Sequence, residues 1–156
     1  QIKIGSSQIT SRRLNHPDIT SGYRIVSDGA VFSYISDTDL YGEQLHCSDV
    51  QINSDAEKEL YLGQLRQAAC QLAADSDLMV CDTFFLPEEY KPDYGHSRPD
   101  DALRLGMEAD ARAIALFHHA PHYDDEILDD MLRHYRAQAP AGLDLISARE
   151  DLEITL

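Results

Sequence analysis

Apolar and polar positions alternate in the first part of the chain and recur at helical spacing further on. The opening stretch IKIGSSQITSRRLNHP alternates weakly and predicts one or two strands. GYRIVSDGAVFSYISD predicts a hairpin, with Tyr23–Val26 and Val31–Ile35 flanking Ser27-Asp28-Gly29. The glycine there offers the positive φ that a tight turn needs. A polar loop runs from Asp37 to about Asn53. Ser54-Asp55-Ala56-Glu57 matches a capping box, and Tyr61, Leu65, Ala68, Ala69 and Leu72 form a stripe at helical spacing. A helix is predicted over about 55–74.

Leu78-Met79-Val80-Cys81 is a short apolar run and predicts a buried strand. Two prolines make 84–95 a loop, after which Ser97 is expected to cap a second helix with Pro99 and Asp100 in its first turn. Ala113–Phe117 predicts another buried strand. A third helix, from about Asp124 to Ala137, would bury Ile127, Leu128, Met131, Leu132 and Tyr135. Leu143–Ser147 and Leu152–Leu156 are predicted as closing strands. Strands followed by alternating helices and strands imply an α/β chain, a mixed sheet covered by helices.

Length and composition narrow this picture. The 156 residues suffice for one domain with a core, and no apolar run approaches the roughly 18 residues of a membrane span. No membrane partner is expected. The first residue is Gln, so the chain is expected to be processed, trimmed or cut from something longer. Acidic residues outnumber basic ones 28 to 13, which disfavours a nucleic-acid grip built on Lys/Arg stripes. A phosphate-bearing substrate stays open, because metal ions supply positive charge locally. The three cysteines, Cys47, Cys70 and Cys81, lack CxxC spacing. Cys70 and Cys81 read as small core residues of a reduced, cytoplasmic protein.

Ligands gather beyond the carboxyl ends of strands in such sheets. His16, Asp37, Asp82 and His118 each follow a predicted strand, and His96 sits in a loop at a helix entrance. Each has a plainer explanation: a turn residue, a loop cap, a strand-end hydrogen bonder, helix-entry punctuation. Together they can share one rim. Two imidazoles and a carboxylate suit zinc, with manganese or iron as alternatives, and a histidine beside a carboxylate suits leaving-group protonation. In ALFHHAPHYDD, His119 and His122 read as outlying neighbours of His118, while Asp124 and Asp125 open the next helix.

LNHPDITSGYRI, YISDTD, LMVCDTFF, YGHSRPDDAL and ALFHHAPHYDDE, in that order over about 14–126, resemble the C-terminal half of a metallo-β-lactamase-fold hydrolase of the ribonuclease Z and phosphodiesterase kind. The resemblance implies half of an αββα sandwich. It implies two divalent metal ions, zinc first, with His16 on one, Asp37 bridging both and His118 on the second. His96 would protonate the leaving group, and Asp82 would be its acidic partner.

The chain departs from that pattern in having no HxHxDH sequence, which supplies most ligands of both metals in the family. It is therefore expected to form a single partial domain over 1–156, completed by an N-terminal half of the same domain or by another subunit. Alone it should be inactive or nearly so, should expose an apolar face, and should tend to homo-oligomerise. The expected activity of the completed domain is metal-dependent hydrolysis of a small or cyclic phosphodiester. Hydrolysis of another ester, lactone or thioester, or a non-catalytic sensor or interaction role, are the alternatives.

Overall fold

The computed structural model describes all residues from Gln1 to Leu156. Seven strands form one sheet in chain order: β1 (Ile2–Ile4), β2 (Ser7–Arg13), β3 (Ser21–Ser27), β4 (Ala30–Ile35), β5 (Leu78–Asp82), β6 (Ala113–Phe117) and β7 (Asp144–Ser147). β1 to β4 pair antiparallel, and β4 to β7 pair parallel. The parallel strands are linked by α1 (Asp55–Ala73), α2 (Pro99–Glu108) and α3 (Asp125–Arg136). No helix is long and apolar enough to cross a membrane.

Local chemistry explains these elements. Asp28 and Gly29 carry φ values of 52° and 91°, so both central residues of the β3–β4 turn are left-handed, the geometry that matches strand twist. Ser54 Oγ accepts from Glu57 N at 3.2 Å and starts α1. The Glu57 carboxylate accepts from Asn53 N at 2.7 Å, one residue earlier than a capping box requires. α1 buries Leu62, Leu65, Ala69, Leu72 and Ala73. Each leucine contributes about 1.5–3 kcal/mol by leaving water. The predicted stripe is thus rotated slightly, with Tyr61 and Ala68 only half-buried.

The helices lie on one face of the sheet. Ser33, Met79, Ile114 and Leu145 are register partners on neighbouring strands and so share a face. Ser33 Oγ donates to Leu72 O of α1. A Cβ on Gly106 of α2 would lie 2.3 Å from Ile114 Cδ1, so only glycine lets α2 approach this closely. Met131 and Tyr135 of α3 complete the same core with Leu145. The opposite face carries Ile2, Ile9, Ile25, Phe32, Tyr34, Val80 and Phe117, with no helix over it.

Four expectations need correction. Ser97 does not cap α2: it is fully buried, its Oγ donates to Thr38 O and accepts from Leu40 N, and Arg98 stands at the cap. Ile127 is exposed, because only Met131 and Tyr135 of α3 point fully into the core. Leu152–Leu156 forms no strand, since β7 already ends the sheet's hydrogen-bonded ladder. Of the two cysteines read as core, Cys81 is buried, whereas Cys70 is only half-buried.

Candidate metal and proton-transfer site

β2 and β4 both run antiparallel to β3, so their carboxyl ends share a rim with those of β5 and β6. His16 follows β2, Asp37 follows β4, Asp82 ends β5 and His118 follows β6. The 84–98 segment folds back over this rim and brings His96 to it. Phe84 stacks on the His96 ring at 4.8 Å with planes 24° apart, which fixes the imidazole's orientation. The four residues that the strand-end pattern singled out, and His96 from the helix entrance, are gathered here.

Asp82 is the centre of the arrangement. Its side chain is 1% exposed, and Thr38 N and Ser97 N donate to Oδ2 at 3.1 and 3.3 Å. Phe84 N donates to Oδ1 at 3.2 Å, and His96 Nδ1 donates to Oδ2 at 2.9 Å. Burial pushes the carboxyl's pKa up, but the His118 and His96 imidazoles and the Thr38 amide together hold it below the ordinary value. Asp82 is therefore a charged, buried, fully hydrogen-bonded acceptor. His96 keeps Nε2 without a protein partner, and its side chain is 12% exposed.

His118 sits at φ 62°, a left-handed backbone uncommon outside glycine, though histidine is among the side chains that adopt it most readily. This turn leaves Nδ1 3.3 Å from Asp82 Oδ1 and 3.4 Å from Asp37 Oδ1, buried but hydrogen-bonded to neither. The Asp82 interaction raises the His118 pKa despite burial, with Asp37 adding to it. His16 lies opposite, its ring 5.3 Å from that of His96. Burial and the neighbouring His96 lower its pKa. Its Nδ1 accepts from Asp18 N at 3.2 Å.

Ligand-capable atoms fall into two groups, His16–Asp37–His96 and Asp82–His96–His118. His16 and His118 thus stand on opposite sides, with His96 common to both and Asp37 within 3.4 Å of His118. Two imidazoles with a carboxylate fit a borderline divalent ion. His118 Nδ1, buried and without a hydrogen bond, lies near two carboxylate oxygens, so a proton or a divalent ion would join it to both. His119 lies outside this cluster: its Nε2 is 3.3 Å from Ser147 Oγ, linking the end of β6 to β7. His122 lies farther out, 2.8 Å from Glu89 Oε2.

Of four supporting residues, only Asp39 carries a sequence signal for this role. Asn15 N donates to Thr38 Oγ1, and Asn15 Nδ2 donates to the carbonyls of Asp39 and Gln44, which ties the His16 loop to the Asp37 loop. Asp39 is 1% exposed and accepts from Tyr90 Oη at 2.7 Å and from Gly42 N at 2.9 Å. Thr38 and Ser97 link that loop to Asp82. The second carboxylate of SDTD was the one visible hint.

No family model matches the chain. Over 88 residues it is 33% identical to a ribonuclease Z of Saccharolobus solfataricus, a segment covering 54% of this chain and 30% of that protein. The metallo-β-lactamase fold protein YhfI of Bacillus subtilis superposes on 94% of the chain with a TM-score of 0.65 and 19% identity. Human tRNase Z, short form, superposes on 99% with a TM-score of 0.63 and 14% identity. The chain spans 48% and 44% of those two proteins. It has the metallo-β-lactamase fold, and its sequence is ribonuclease Z-like. The acidic balance argued against a nucleic-acid partner; similarity to proteins named as ribonucleases gives that exclusion no support.

Proposed function

We propose that this chain carries the proton-transfer half of a metal-dependent phosphodiesterase of the metallo-β-lactamase fold. The observation that carries the proposal is the buried Asp82–His96 pair, 2.9 Å apart, set beside three further ligand-type side chains on one rim. His16 would hold one divalent ion, His118 a second, and Asp37 would lie between them. Bound zinc, manganese or iron supplies Lewis acidity toward a phosphoryl oxygen and makes water more acidic.

The chain's own residues do the rest. Asp82 stays ionised and accepts from His96 Nδ1, which fixes the ring and leaves Nε2 free. His96 Nε2 then delivers the proton to the departing alkoxide oxygen. Phe84 restrains the ring, and Thr38, Ser97 and Phe84 amides keep Asp82 from turning away. A dedicated proton donor suits a phosphodiester, whose alkoxide leaving group needs protonation; a small or cyclic diester and an RNA end both meet that requirement.

The remaining metal ligands would come from an HxHxDH-bearing half, of the same domain or another subunit, packed on the helix-free face of the sheet. The absence of HxHxDH and the partial coverage of structural relatives support this reading. Three unpaired thiols support a cytoplasmic setting. A chromogenic phosphodiester assay with added zinc or manganese tests it. The completed domain should turn over, and His96→Ala should lower its kcat by about 10²–10⁴-fold with metal binding retained. Robust turnover by the 156-residue chain alone would overturn the partial-site reading.

A further inference from the structure

Ligand-type atoms of Asp82, His96 and His118 lie within 4.8 Å of one another, on the side of the rim that carries the proton donor. We infer that, without an HxHxDH-bearing half, these three side chains of the chain hold a divalent ion of the zinc class, and that this ion keeps His96 from donating a proton. The ion site stands on geometry; its effect on His96 rests on the phosphodiesterase reading.

Distances are the first argument. A tetrahedral zinc with ligands at about 2.0–2.2 Å sets its ligand atoms roughly 3.4 Å apart. Asp82 Oδ1 and His118 Nδ1 are 3.3 Å apart, so one such edge is already formed. The His96 ring closes the group: its centroid is 5.0 Å from that of His118 with planes 73° apart, and its Nδ1 is 2.9 Å from Asp82 Oδ2. Phe84 restrains both imidazoles, stacked on His96 and edge-on to His118 at 5.1 Å.

Two observations set this group apart from His16–Asp37–His96. Asp82 is 1% exposed and fixed by the amides of Thr38, Ser97 and Phe84, whereas the Asp37 side chain is 40% exposed. A carboxylate already held in place loses little freedom when it ligates. His118 Nδ1 is buried with no hydrogen-bond partner. Such a nitrogen costs free energy that a bound ion recovers. Asp37, 3.4 Å from it, adds a second negative charge, so two carboxylates balance the charge of a divalent ion.

The consequence for the donor follows from its protons. His96 donates Nδ1–H to Asp82 and delivers another proton from Nε2, so it works as an imidazolium with a hydrogen on each nitrogen. An ion on either nitrogen prevents that state, and an ion on Asp82 draws away the carboxylate that orients the ring. An HxHxDH-bearing half, by supplying further ligands to an ion on His118, would free Asp82 and His96.

The test separates the ion site from turnover. Metal-free chain is titrated with zinc chloride, and binding is followed by calorimetry and by the ¹⁵N signals of the histidine rings. One ion should bind per chain, and the His96 and His118 signals should shift together while those of His16 stay in place. His96→Gln and His118→Gln should each weaken zinc binding at least about 100-fold, beyond the roughly 10–100-fold that losing an outer hydrogen-bond partner brings, and His16→Gln should change it less than about threefold. The wild-type ring signals stand whether or not a variant folds. Absence of binding, movement of the His16 signals, or an unmoved His96 ring overturns the ion site. When the zinc-loaded chain is given an HxHxDH-bearing half, turnover should begin only as the His96 signals return to their metal-free positions. Turnover with His96 still shifted would overturn the block on the donor. Unchanged kcat in His96→Ala of the completed domain would instead count against the phosphodiesterase reading and leave the ion site intact.

Discussion

The two faces of the sheet differ more than any other two regions of the molecule. Under the helices, Ser33, Ile35, Met79, Cys81 and Ile114 are each 0% exposed. On the other face, Tyr23 and Phe117 are 41% and 40% exposed, and Ile2 is 64% exposed. Both faces are apolar, but only one is a finished core. The helix-covered face holds the sheet rigid, and that rigidity delivers Asp82 and His118 to the rim at fixed separations. The uncovered face carries no such duty within this chain, and its side chains are the ones a second layer of the sandwich would meet.

Breaking the covered face should have the largest effect. Ile114 touches α2 at Gly106 and has no exposure. Ile114→Ala leaves a cavity under α2 and should cost about 2–5 kcal/mol, read as a shift of the urea midpoint at unchanged slope. The same deletion also tests the rim: β6 carries His118, so a loosened β6 should broaden the His118 ring signals in NMR spectra.

Asp82→Asn should have the next largest effect, confined to the site. His118 titrates above the ordinary imidazole value of about 6.5 because Asp82 stands 3.3 Å from it. The raised His118 pKa stabilises the metal-free fold fully below about pH 6.5 and less as pH climbs through it. The lowered Asp82 pKa stabilises the fold above about pH 4 and less as pH falls through its folded value. The pair is thus strongest between about pH 4 and 6.5. Asn at position 82 should lower the His118 pKa, flatten this pH dependence of stability, and weaken zinc binding about 10–100-fold. An unchanged His118 titration would show that Asp37, 3.4 Å away, dominates instead.

Much of this contrast was legible in the sequence. Helical spacing placed α1, the Ser27-Asp28-Gly29 turn placed the hairpin, and a short apolar run placed β6. The strand-end rule placed His16, Asp37, Asp82 and His118 on one rim. What failed were contacts made by tertiary packing. Ser97 has the sequence of a cap but is drawn into the core by Thr38 and Leu40. Ile127 lies on the helical stripe of α3 yet stays exposed, because only Met131 and Tyr135 of that helix are fully buried. Asp39 and Tyr90 meet across 51 residues of chain, a separation that no local pattern encodes.

The smallest effect is expected on the uncovered face, and it is the sharpest test of the comparison. Tyr23 stands on β3 opposite Tyr34, 41% exposed and with no helix above it. Tyr23→Thr replaces one strand former by another and trims a half-exposed ring that sits opposite Tyr34. Its cost should stay within about 0.5 kcal/mol, several-fold below that of Ile114→Ala. Sedimentation velocity should show less self-association than wild type at the same concentration, because apolar patches of this kind drive chains together. A cost near that of Ile114→Ala would mean that the second face is already a core in its own right, and the asymmetry between the two faces would fail.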